Sequence, residues 1–127
     1  MMPASDPAVT AANNLALRQA LAQFTTGVAI VTTISPQGAP VGMTINSFSS
    51  VSLEPPLVLW SVSRQANSFA IFRSAKRYLI HILAATQLDL AKRFATRGAD
   101  RFSAQSTTAW QYTTTRLPRL DDCLAWF

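Results

Sequence analysis

The chain has 127 residues, 49% of them hydrophobic and only 13% charged, with a formal net charge of +5, which suits one domain with one well-buried core. No apolar run approaches the roughly 20 residues that span a bilayer. The sole cysteine, Cys123, and the sole histidine, His81, exclude a Cys/His zinc site and an internal disulfide, and one glutamate, Glu54, among six scattered acidic residues leaves no paired-carboxylate site.

The first fourteen residues, MMPASDPAVTAANN, carry neither a basic head nor an apolar stretch and are expected to form a tail over residues 1–13, not a signal peptide. With the single thiol, this points to a cytoplasmic protein. One domain is expected over residues 14–127. Asn13 or Asn14 can cap a helix to about Thr25, with Leu17, Ala20, Leu21 and Phe24 on one face. Val28 to Ile34 then reads as a β-branched strand. SPQG, Ser35 to Gly38, is a turn, and Pro40 to Asn46 is expected to pair back antiparallel.

Gly42 to Leu59, GMTINSFSSVSLEPPLVL, sets small polar side chains where a plain core strand would not: Thr44, Asn46, Ser47, Ser49, Ser50 and Ser52. They suit the rim of a pocket for a flat polar ring system, and equally an ordinary serine-rich strand and turn. Pro55 and Pro56 are expected to turn the segment before them over as an ordered loop.

Leu57 to Ser63 reads as a strand with Trp60 in the core, and Asn67 or Ser68 as the cap of a short helix that turns Phe69 and Phe72 inward. Arg77 to Ala84 reads as a buried strand in which His81 is a hydrogen-bonded core residue. Thr86 and Asp89 resemble a capping box opening a helix to Ala95, with Leu90 and Phe94 inward. Gly98 ends it in a left-handed conformation. Ala109 to Arg116 alternates weakly, LPRLDD reads as a turn, and Cys123 to Phe127 begins one more strand around a buried, inert thiol. Short strands broken by a few helices predict a mainly β protein, a mostly antiparallel β-barrel with peripheral helices.

The scattered glycines Gly27, Gly38, Gly42 and Gly98 form neither a dinucleotide fingerprint nor a phosphate loop, and no serine sits in G-x-S-x-G. No catalytic side chain is expected, so a reactive centre must come from a bound cofactor. The basic residues Arg73, Lys76, Arg77, Lys92, Arg93, Arg97 and Arg101 lie among helix-spaced apolar residues. This favours a compact anion such as phosphate over nucleic acid.

LRQALAQFTTGVAIVTT, then GAPVGMTINSFSSVSLEPPLVLWSV, then YLIHILAATQLDLAKRFATRGADRF resembles the flavin reductase family, from about Leu15 to Phe127. The resemblance implies an antiparallel FMN-binding split barrel and a homodimer using FMN or FAD with NAD(P)H as co-substrate. It also implies a flavin-dependent monooxygenase as partner, and neither nucleic acid, membrane nor metal. The alternative is a flavin-binding, dimerising module without turnover. The isoalloxazine would lie against Met43, Thr44, Asn46, Ser47 and the turn of Ser50, Val51 and Ser52. Asn46 and Ser47 would meet the polar ring edge, and the amides of Ser49 to Ser52 its carbonyl oxygens. Ser63 and Ser68, with Lys92 or Arg93 and the amino end of the Asn67 helix, would take the ribityl chain and phosphate. Arg97, Asp100 and Arg101 would form a salt-linked turn or help admit the nicotinamide.

Two departures stand out. His81 replaces the asparagine usual in the family's V-N-V-L strand. Beyond LAWF the family continues through strands carrying a G-D-H motif, so the barrel is expected to lack its last strands here.

Overall fold

The computed structural model describes residues 15, 27–103 and 109–127. The expected N-terminal tail and capped helix lie outside the described residues, apart from Leu15.

The arrangement is built around β1 (Ala29–Ile34), a strand buried on both faces. Because successive side chains point to opposite sides of a strand, Ala29 and Val31 enter one core with Ile45, Phe72 and Ile80, while Ile30 enters another with Phe94 and Leu120. Continuous apolar and threonine side chains thus serve two layers at once. β1 pairs antiparallel with β2 (Pro40–Ile45) in the register Ile34↔Pro40 to Ala29↔Ile45. The SPQG turn closes as expected, with Ser35 N–H donating to Ala39 O at 2.8 Å and Gly38 at φ 84°.

On its other side β1 pairs antiparallel with β5 (Leu79–Ile82), and β5 with β8 (Ala125–Trp126). The sheet order is β2-β1-β5-β8, so β2 forms an edge. β3 (Ser49–Leu53) and β4 (Pro56–Leu59) make a separate hairpin, as do β6 (Trp110–Tyr112) and β7 (Pro118–Leu120). Helix α1 (Phe69–Ser74) covers the first core through Phe72, and α2 (Leu88–Ala95) the second through Phe94. The protein is mainly β and antiparallel, with helices at its periphery, and no described helix is long and apolar enough to cross a membrane.

His81 is fully buried and pins three strands. Its Nδ1 lies 3.0 Å from Ile30 O of β1, and Leu120 N–H of β7 donates to its Nε2 at 3.1 Å. The two contacts fix the ring as the neutral Nδ1–H tautomer, and burial pulls its pKa below the usual histidine value. The core reading of His81 therefore holds. So does that of Cys123, half-buried, its pKa raised chiefly by burial.

Five expectations need correction. LPRLDD is a turn only at its end, where Asp121 and Asp122 turn with Asp122 at φ 64°; Leu117, Pro118 and Leu120 are buried, and proline is tolerated as the first residue of β7 because its missing N–H is not needed there. A further turn, TTTR, precedes it, closed by Thr113 N–H to Leu117 O at 2.9 Å with Arg116 at φ 63°. The segment before Pro55 is strand, not loop, paired to β4 through a bulge between Ser50 and Ser52. The strand after the prolines is correspondingly short, ending at Leu59. Ser68 holds the N-cap position of α1 but makes no cap bond, its hydroxyl donating to Met43 Sδ at 3.6 Å. Thr86 lies inside a 3₁₀ turn, Ala85–Gln87, and it is Gln87 Oε1 that accepts the Ala84 N–H, at 2.8 Å.

Candidate functional site

A cavity of about 680 Å³ opens along the free edge of β2. Its floor is Pro40 to Thr44; one wall is the segment from Ser63 to Ser68, and the other runs from the end of α2 through the loop that closes at Ser103. The size is that of a small-ligand site.

Each wall is tied to β2 by a side chain. Ser68 reaches the sulfur of Met43, and Thr44 Oγ1 donates to Ala91 O of α2 at 2.6 Å. Gly42 makes the close approach possible. A Cβ there would lie 2.7 Å from Phe94 Cε2 and 3.0 Å from Phe102 Cζ, so a hydrogen is all the position admits. Phe94 and Phe102 meet edge to face at 5.2 Å, and Phe102 meets Trp110 in the same way at 5.3 Å. Trp110 Nε1 donates to Phe102 O at 2.8 Å.

The loop after α2 is held by Arg101, whose guanidinium donates to Gly42 O and, at 2.9 Å, to Thr96 O. Burial lowers the Arg101 pKa from its ordinary value, and the group remains a cation. Gly98 takes the expected left-handed conformation at φ 72°. Asp100 accepts from both the backbone N–H and the hydroxyl of Ser103, bonds that hold its carboxyl below the usual range. The TRGADRF segment is thus a hydrogen-bonded turn facing a cavity.

Of the predicted site residues, the structure brings Met43, Thr44, Ser63 and Ser68 together on this cavity. Asn46, Ser47, Ser49, Ser50, Val51 and Ser52 follow β2 onto the β3–β4 hairpin and are not among its lining residues. Ser47 Oγ is engaged by Ser61 N–H at 2.9 Å, while Asn46 is exposed. Lys92 is exposed, and Arg93 lines a separate hollow with Asp89, Asp121 and Asp122. Lys92 and Arg93 are therefore not among the residues that line this cavity, although Arg93 lies near enough to Asp100 on its wall to act on that carboxyl. Nor does α1 supply an anion site, being only six residues long.

Sequence reasoning gave Arg97 and Arg101 a salt-linked turn or a role in admitting the nicotinamide, and missed Gly42, Phe94 and Phe102 as cavity wall. The available signal was TRGADRF itself, two arginines flanking Gly98 and Ala99, small residues that bring the backbone close. The lining combines apolar Val41, Met43, Phe94 and Phe102 with hydroxyls, amides and guanidiniums. This donor set fits a planar, largely apolar ring bearing a polar, anionic tail, as flavin nucleotides do.

A mainly β antiparallel domain with a ring-sized cavity on a sheet edge is the class of protein defined so far. Residues 21–127 match the flavin reductase like domain. The chain belongs to that family, and its structural neighbours are flavin reductases of the split-barrel fold. It is 49% identical over 86 residues to the FMN reductase (NADH) SmoA of Agrobacterium fabrum, a match covering 68% of this chain and 49% of that protein. It is 40% identical over 111 residues to the reductase component of the flavin-dependent trigonelline monooxygenase of Acinetobacter baylyi, covering 87% of this chain and 35% of the relative. Among solved structures, the NADH:FAD oxidoreductase SgcE6 of Streptomyces globisporus, in complex with NAD and FAD fragments, superposes with a TM-score of 0.82 at 33% identity, covering 93% of this chain and 69% of that one. The chain thus spans between a third and a half of the length of these two curated relatives.

Proposed function

We propose that this chain is an NAD(P)H-dependent flavin reductase domain that binds FMN or FAD in the cavity along β2. What carries the reading is the cavity's composition: a largely apolar floor from Pro40 to Thr44, the rings of Phe94 and Phe102 in the wall, and hydroxyls, amides and guanidiniums around them. The redox chemistry is the cofactor's own, a hydride accepted from reduced nicotinamide. The protein's residues then have three tasks. Met43 and Thr44 seat the ring, Ser63 and Ser68 meet the polar tail, and Phe94 and Phe102 keep water from one side. Asn46, Ser47 and the Ser49 to Ser52 segment extend the seat along the chain beyond β2.

Those last residues belong to a hairpin that leaves Val51, Leu53, Leu57, Val58 and Leu59 exposed, Leu53 at 93%. An apolar face of this kind suits an interface. We read it as the contact of a homodimer in which the second copy closes the ring site. The relatives named as monooxygenase reductase components support a flavin-dependent monooxygenase as the consumer of reduced flavin, and the single thiol supports a cytoplasmic setting.

Purified protein loaded with FMN is expected to lose its yellow absorbance on anaerobic addition of NADH or NADPH. Retained colour with both would reject turnover and leave the flavin-binding module. Analytical ultracentrifugation is expected to give a dimer; a monomer at micromolar concentration would reject the closure by a second copy.

A further inference from the structure

Lys92 and Arg93 are not among the residues that line the cavity, and the cations that do are Arg97 and Arg101. Arg101 spans two backbone carbonyls and serves the loop. Arg97 is exposed and reaches across to the opposite wall, where Nη2 donates to Gln65 O in a long bond of 3.3 Å. Gln65 belongs to the wall that also presents Ser63, Asn67 and Ser68 to the cavity. The guanidinium carries five donors in a planar fork that matches the oxygens of a phosphate. One long bond to a carbonyl at the surface is weak competition for such a partner. Asp100 lies on the same wall, its carboxylate accepting from the N–H and hydroxyl of Ser103. The ring seat at Met43 and Thr44 and the cation at Arg97 line a single cavity.

We propose that Arg97 is the residue that recognises the 5′-phosphate of a phosphorylated flavin, with Ser63 and Ser68 beside it, so that the site selects flavin mononucleotide over riboflavin. This rests on the flavin reading above and adds to it the class of flavin and the residue that selects it. A phosphate could equally arrive on the nicotinamide nucleotide, and the test must separate the two sources.

FMN and riboflavin are titrated into the full chain without nicotinamide, with quenching of flavin fluorescence as the readout. Arg97→Gln is expected to weaken FMN binding tenfold or more and to leave riboflavin within about twofold, the loss of one charge-assisted pair. Arg97→Lys, which keeps the charge and loses the fork, is expected to fall between. Equal losses for both flavins, or no loss for FMN, would overturn the assignment while leaving the flavin reading intact. An unchanged FMN affinity combined with a raised KM for the nicotinamide would move Arg97 to the co-substrate and overturn it as well. If selectivity disappears in Lys92→Ala/Arg93→Ala and survives in Arg97→Gln, the helix pair is the phosphate site and Arg97 is not. Parent protein that binds neither flavin would reject the flavin reading itself, and this inference with it.

Discussion

Gly42 is the position at which the smallest perturbation should have the largest readable effect. Replacing its hydrogen with a methyl group puts a carbon 2.7 Å from Phe94 Cε2 and 3.0 Å from both Phe94 Cδ2 and Phe102 Cζ. Carbon atoms in contact prefer about 3.5–4.0 Å, so the rings must move by roughly an ångström. Phe94 is 1% exposed and packs with Ile30 and Leu120, while Phe102 is wedged between Phe94 and Trp110. Overpacking of this kind costs about 1–3 kcal/mol. Against it, alanine in a strand gains about 0.5–1 kcal/mol over glycine through the unfolded chain. The net expectation for Gly42→Ala is a loss of about 1–2 kcal/mol, or about 4–8 °C in Tm for a chain of this size. Urea unfolding measures it as a lowered midpoint at unchanged slope. Adding Phe102→Leu should recover part of the loss by opening the contact, whereas independent sites would give additive losses. A Gly42→Ala protein as stable as the parent would refute the close approach and, with it, the cavity floor described above.

His81 is held neutral by burial, its pKa lowered below the value near 6.5 of the unfolded chain. Its contribution to stability is therefore full above about pH 6.5 and is lost as pH falls through that value towards the folded pKa, with a slope of up to about 1.4 kcal/mol per pH unit. Denaturation at pH 7 and pH 5 should show this slope in the parent and a smaller one in His81→Asn, and equal slopes would remove His81 as its source. Asn46→Ala should weaken FMN binding by about 1–3 kcal/mol with no change in Tm, since the side chain is exposed; unchanged affinity would place the ring elsewhere. Ser47→Ala should also cost about 1 kcal/mol of stability, because the Ser61 N–H loses its acceptor, and calorimetry separates the two cases. Gln87→Ala removes the acceptor of the Ala84 N–H and a donor to Asp121 O, and should lower the urea midpoint by the equivalent of about 1–2 kcal/mol; no change would mean that water replaces both.

The hairpin of β1 and β2 was legible because the β-branched run and SPQG act at short range. α2 was legible because Leu90 and Phe94 repeat at helical spacing. Pro118 and Arg119 read as turn because local chemistry does not reveal burial, and only the packing of Leu117 and Leu120 onto the sheet makes that segment a strand. The same limit applies at the site. Motif resemblance pointed to Met43, Thr44, Ser63 and Ser68, which the fold does gather. It offered Lys92 and Arg93 as cations because they are adjacent and basic, whereas rotation of α2 about its apolar face decides where they point. Arg97, one turn further on, escapes that rotation because the helix has already ended. Nothing near Gly42 in the chain marks its constraint, which comes from the distant rings of Phe94 and Phe102.

The most direct test of the account is a crystal structure of the chain soaked with FMN. The ring is expected against Met43 and Thr44 at the edge of β2, with the phosphate beside Arg97. Flavin bound at another surface, or no flavin in a protein that is colourless in solution, would contradict it.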